Sequence, residues 1–113
     1  RIREENIISI LETNKKDAMG ISKDGEGLIL MLADHLDWKN ESEHLTLLQD
    51  KINAYIGFIE SKQYSDNYPD RVFEYYVIDV RFKYKATENY LKFFEVINTQ
   101  LREYNIQLVN SDV

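Results

Sequence analysis

Two histidines and a set of carboxylates between Asp34 and His44 are the side chains of this chain best grouped to do chemistry. Imidazole and carboxylate together can hold a transition metal, or can pass a proton between an acid and a base. The spacing argues against the metal. His35 and His44 are separated by a strand end, a loop and a helix start. No H-x-x-x-H or H-x-x-E-H pattern joins them, so Asp34, Asp37 and Glu43 have no imidazole pair to complete. Acid–base catalysis needs two groups whose pKa values are driven apart across a pocket. Asp34 with Asp37, and Glu41 with Glu43, read instead as acids gathered at a helix start, where the positive end of the helix dipole favours them. Covalent catalysis fares worse: there is no cysteine and no G-x-S-x-G elbow, and Gly25 and Gly27 belong to a turn. No catalytic residue, metal ligand set or cofactor is expected.

The same stretch is notable as a surface. Between Asp24 and Asp50, seven acids (Asp24, Glu26, Asp34, Asp37, Glu41, Glu43, Asp50) stand against Lys39 alone, so that segment carries the whole net charge of −6. Nucleic acid is a poor partner for it, because phosphates are bound by neutralising cations. A basic protein suits it better. Arg81, Lys83 and Lys85 alternate with Phe82 and Tyr84, so cations and aromatics point to opposite faces of a strand and do not form a base-stacking sheet. Trp38 has two readings. It can fold back on the first helical turn as a hydrophobic staple, or anchor an interface, where Trp and Tyr dominate. Tyr64 and Tyr68, in a loop with Ser, Asp and Asn, carry the same ambiguity.

The elements that must position these residues follow from periodicity. With 113 residues the chain suits one domain, here residues 17–113 behind an N-terminal extension at 1–16. Residues 2–13 read as a short helix, with Ile7, Ile8, Ile10 and Leu11 on one side. Asp17 to Lys23 and Leu28 to Asp34 form a hairpin about the KDGEG turn. The run LILMLA predicts burial on both faces and a central place in the sheet. A helix follows from Asn40 to Ser61, capped by Asn40 with Glu43 and striped by Leu45, Leu48, Ile52, Tyr55, Ile56 and Ile59. Gly57 inside it suggests close packing against a neighbour. Val72 to Lys85 reads as the longest strand, with Tyr76, Ile78, Val80, Phe82 and Tyr84 facing the core. Thr87 caps a last helix to Tyr104, whose stripe is Tyr90, Phe94, Ile97, Leu101 and Tyr104. Asn105 takes the left-handed position after it, and Ile106 to Val109 closes the chain as a strand. The expected architecture is α+β: an open four-stranded mixed sheet with two main helices on one face and a short N-terminal helix.

The stretch from Asp34 to Ser61 resembles the signature of a family of small bacterial domains of unknown function. Asp34-His35-Leu36-Asp37-Trp38 carries the likeness, with Glu43-His44-Leu45, Leu48-Gln49, Lys51-Ile52-Asn53, Tyr55 and Phe58 to Ser61. Tyr68-Pro69 and Phe82-Lys83-Tyr84 extend it over most of 17–109. It departs at Lys62, where a glycine is expected. The resemblance implies a stand-alone intracellular bacterial protein and brings no activity and no catalytic residues.

No apolar run approaches the roughly 18 residues of a membrane span, and no secretory segment opens the chain, so the cytoplasm is the expected compartment and no membrane is a partner. The function expected is that of a non-catalytic protein-binding domain, an immunity-type inhibitor of a bacterial toxin in its most concrete form. Its partner-binding residues would be Asp34, Asp37, Trp38, Glu41, Glu43, Tyr64 and Tyr68. The rivals are a small metal- or ligand-dependent enzyme at His35 and His44, and a module that self-associates through the exposed face of the Val72–Lys85 strand.

Overall fold

The computed structural model describes residues 19–112, of which 111 and 112 are described by backbone alone. The extension at 1–16, its expected helix and the start of the first strand at Asp17 lie outside the described residues. Four strands, β1 (Met19–Ile21), β2 (Gly27–Asp34), β3 (Tyr75–Phe82) and β4 (Ile106–Asp112), are joined beyond the first hairpin by α1 (Glu41–Glu60) and α2 (Glu88–Leu101). The strands lie side by side in chain order. β1 is antiparallel to β2, while β2–β3 and β3–β4 are parallel. The sheet is therefore mixed and the domain α+β, as expected.

The hairpin turns on Gly25, whose φ of 79° lies in the left-handed region that glycine enters without steric cost. Asp24 braces the turn by accepting from the Ser22 hydroxyl at 2.6 Å and the Glu26 N–H at 2.9 Å. The Tyr75 hydroxyl also donates to it, across Gly27, where a β-carbon would strike the Tyr75 ring. These bonds, that from Ser22 foremost, hold the Asp24 carboxyl below its usual range.

Strand order determines which sheet face is covered. Because β2, β3 and β4 are neighbours in sequence order, both crossovers run in the same direction. With the same hand, they must lay both helices on one face. Leu28, Leu30, Leu32, Ile78, Val80, Phe82, Ile106 and Leu108 are buried there in one cluster with Leu48, Ile52 and Tyr55 of α1 and Tyr90 and Leu101 of α2. The expectation that β2 is buried on both faces is corrected: Ile29 and Met31 are half-buried and Ala33 is exposed. Its inner position in the sheet holds. β3 is also shorter than Val72–Lys85, because its pairing ends where β2 ends, at Asp34 opposite Phe82. Tyr84, past that point, is exposed instead of in the core. Tyr104 is exposed as well, since the chain tightens to a 3-10 turn at Arg102–Tyr104 and rotates the ring off the stripe.

Each helix start is fixed by its cap. Asn40 Oδ1 accepts from the Glu43 N–H at 3.3 Å, and Thr87 Oγ1 accepts from the Tyr90 N–H at 3.2 Å. The end of α1 differs from expectation. Gly57 packs against nothing: a β-carbon there would meet no atom within 4 Å. Lys62, where a glycine was expected, has φ 60° and sits in the left-handed region just past the C-cap. Two substitutions should therefore stabilise the fold. Gly57→Ala is expected to add about 0.5–1 kcal/mol by helix propensity, and Lys62→Gly about 1 kcal/mol by relieving left-handed backbone strain. Chemical denaturation of the two variants checks both. A Gly57→Ala variant that unfolds more easily than wild type would mean the position has a contact the packing does not show.

Candidate functional site

The site lies at the C-terminal ends of the parallel strands, where the starts of α1 and α2 meet the sheet. Asp34 ends β2 on the helix-covered face by simple alternation from Leu28, Leu30 and Leu32. Its Oδ1 accepts from the Leu36 N–H at 3.0 Å, which turns the chain out of the sheet. Four residues into α1, His44 points inward, its backbone N–H bonded to Asn40 O at 3.0 Å. The two side chains meet with His44 Nε2 2.6 Å from Asp34 Oδ2. With Asp34 as carboxylate, Nε2 carries the proton and donates. Both are deeply buried, Asp34 at 1% and His44 at 2% exposure. Charged or strongly polar groups so placed persist only when paired.

Aromatic rings close the pair off. The Trp38 ring stacks on His44 with centroids 3.8 Å apart at 29°. Phe82 and Tyr90 stand behind it, 6.0 and 6.1 Å from Trp38 and 4.9 Å from each other. Tyr90 donates to Asn110 Oδ1 at 3.3 Å; burial, then the nearby Asp34 charge, push its hydroxyl pKa up. His44 Nδ1 and Trp38 Nε1 are buried without a hydrogen-bond partner.

Two of the expected contact residues are buried. Asp34 is not part of an exposed acidic surface; it is the buried partner of His44. Tyr64 is not an exposed loop ring. It is buried, edge-on to Phe73 with centroids 5.6 Å apart, and its hydroxyl lies 2.9 Å from that of Tyr76. Tyr68 is half-buried, its ring at 90° to Phe73. Trp38 is half-buried with its face on His44, close to the staple reading, though its partners are His44, Phe82 and Tyr90. Asp37 and Glu43 are exposed. Glu41 accepts from Asn89 Nδ2 at 2.9 Å, tying the two helix starts together; bonds from Thr87 and then Asn89 lower its pKa. His35 is exposed while His44 is buried. Among the described residues no three His, Asp or Glu side chains converge as a metal would need.

The acidic segment is also divided in space. Asp24 and Glu26 sit at the hairpin, at the opposite end of β2 from Asp34. Asp37, Glu41 and Glu43 gather at the helix starts, and exposed Lys39, Lys83 and Lys85 share that end. The sequence carried a signal for the buried pair: Asp34 continues the core alternation of β2, and His44 lies four residues before Leu48 on the core stripe of α1.

The buried tyrosines make the domain sensitive to alkali. Tyr76 is pushed up to about 12 from the ordinary 10, by burial first and then by Tyr64 beside it. Burial raises Tyr55 in the same direction. The folded state holds these protons more tightly than the unfolded chain, so the stability that Tyr76 contributes is complete below pH 10 and lost as pH rises through about 12, while the contribution of Tyr55 is lost at higher pH. Denaturation midpoints measured across the alkaline range should fall through that window, with tyrosinate absorbance appearing as the fold is lost. Early tyrosinate absorbance with the fold intact would contradict this.

Fold and site together define a small α+β domain in which a buried carboxylate–imidazole pair sits beneath a tryptophan at the helix-start end of a mixed sheet. The chain matches the model described as a family of unknown function (DUF6572) over residues 8–111, and it belongs to that family. Comparison with curated proteins and with solved structures gives no match. Among the described residues no helix is long and apolar enough to cross a membrane.

Proposed function

We propose that this domain is a non-catalytic protein-binding module of the immunity type, acting in the cytoplasm, that docks a basic protein partner on the acids around the start of α1. The observation that carries this reading is the division of labour among the carboxylates. Asp34 and His44, the pair with acid–base capacity, are shut beneath Trp38, while Asp37 and Glu43 stand in water with Glu41 between the helix starts and Asp50 further along α1. Exposed acids of this kind steer a basic surface and fix its register. An inhibitor that lays such carboxylates in the basic cleft of a toxin nuclease takes the place of nucleic-acid phosphates. Lys39, Lys83 and Lys85 at the same end make the contact a patterned one, led by the α1 side.

The test is affinity capture from a lysate of the native cells, with wild-type bait beside Asp37→Lys/Glu43→Lys bait. A stoichiometric partner lost with the charge reversal supports the reading, and one that binds both baits equally refutes it. A second reading, self-association, is favoured by the partly exposed Ile29, Met31, Val77 and Val109 on the sheet face opposite the helices. Light scattering decides it, since a monomer at micromolar concentration removes it.

A further inference from the structure

The two helices end at the opposite pole of the domain from the buried pair, and between their last turns runs a groove of about 670 Å³. Ile56 and Glu60 line it from α1, Thr99, Gln100 and Leu101 from α2, and Glu103 and Tyr104 from the turn that follows. Three features of this groove act together. Its floor is apolar, because Leu101 is buried and Ile56 half-buried. Its wall is aromatic, because Tyr104 is 53% exposed, with ring surface free to be covered. Its rim is negative, because Glu60 and Glu103 are exposed and the carbonyl ends of two helix dipoles converge there. Neither helix carries a basic residue in its last turn, and Arg102, the C-cap of α2, is the cation at the start of the 3-10 turn that follows. The nearest cations in sequence, Lys62 and Arg102, do not line the groove; Arg102 lines a separate depression with Tyr75, Asn98 and Asn105.

We propose that this groove takes an arginine side chain presented by a basic protein partner. An aliphatic stem lies along an apolar floor, a guanidinium plane stacks on a tyrosine ring, and its fork of N–H donors meets carboxylates. Lysine satisfies only the charge, because its ammonium is a compact, strongly hydrated point. The inference shares with the proposed function the idea of a protein partner, but it stands on other residues. The groove lies at the far end of the 20-residue α1, ~30 Å from Asn40. Gly57, exposed and with open space where a β-carbon would stand, lies on α1 beside it and leaves room for a partner backbone to come close.

The test uses acetyl-arginine amide as probe, titrated into isotope-labelled protein and followed by amide chemical shifts. Acetyl-lysine amide and the uncharged isostere acetyl-citrulline amide serve as controls. Shifts are expected to concentrate on Ile56, Glu60, Leu101 and Tyr104, with arginine binding several-fold tighter than lysine and citrulline weakest. Glu60→Gln/Glu103→Gln should weaken arginine about tenfold by removing both charge-assisted partners, and Tyr104→Leu should weaken it several-fold with the charges intact. Asp37→Lys/Glu43→Lys should leave it unchanged, so failure here and failure of the docking corner read out separately. Shifts spread evenly over Glu43, Asp50 and Glu60, or citrulline binding as well as arginine, would overturn the proposal. Calcium chloride moving the groove amides where arginine does not would overturn it too.

Discussion

Replacing His44 with leucine is expected to cost about 3–5 kcal/mol, because it strands a buried carboxylate. Asp34 then keeps the Leu36 N–H on Oδ1 but loses the donor to Oδ2 at a site with 1% exposure. A buried carboxylate left without that partner destabilises the native state relative to an unfolded chain in which the group is hydrated. The complementary change, Asp34→Leu, removes the charge itself and leaves His44 without its acceptor. The two changes together leave leucines facing one another beneath Trp38, so the double variant should lose much less than the sum of the singles. That non-additivity is the signature of a pair acting as a unit, and a double-mutant cycle by chemical denaturation measures it. Additive losses would mean that the 2.6 Å contact contributes no coupling and that each side chain is held by its own surroundings.

The same residues show how far the sequence alone could be read. Strand, turn and cap assignments were legible because they rest on local rules. Gly25 supplies positive φ, Asn40 and Thr87 accept from the first free N–H groups, and Asn105 has the left-handed φ of 59° expected after α2. What period and propensity could not supply was which strand lies next to which. The run LILMLA reads as buried on two sides unless both crossovers are known to fall on one face. The length of β3 was likewise set by its partner β2, through the pairing that ends at Asp34 and Phe82, and nothing within Val72–Lys85 marks that limit. In the site, a charged residue in an acidic run reads as surface. Asp34 was drawn inward because alternation along β2 outweighed its hydration once His44, ten residues away, could accept the pairing. That rule is local on each element, but the match between the elements is not.

Tyr90 is the ring on which this match depends, and Tyr90→Ala is expected to cost about 3–5 kcal/mol as a large-to-small core substitution. Its side chain is fully buried and touches Phe82, Trp38, Phe93 and Phe94, with centroid separations of 4.9, 6.1, 5.9 and 6.1 Å. It stands in the first turn of α2, so its loss opens a cavity where that helix meets the end of β3 and the rings covering Asp34. Tyr90→Phe keeps the ring and gives up one long hydrogen bond to Asn110 at 3.3 Å, so about 1 kcal/mol or less is expected. The phenylalanine variant should also lose less stability than wild type above pH 10, because it lacks one hydroxyl whose pKa burial and Asp34 hold high. Trp38 is the single tryptophan, so native-state fluorescence reads the cluster directly. Tyr90→Ala should shift that emission even where the protein is fully folded, whereas Tyr90→Phe should leave it in place. If Tyr90→Ala instead lowered stability with native emission unchanged, the ring would act on α2 alone and the cover over the Asp34–His44 pair would rest on Phe82.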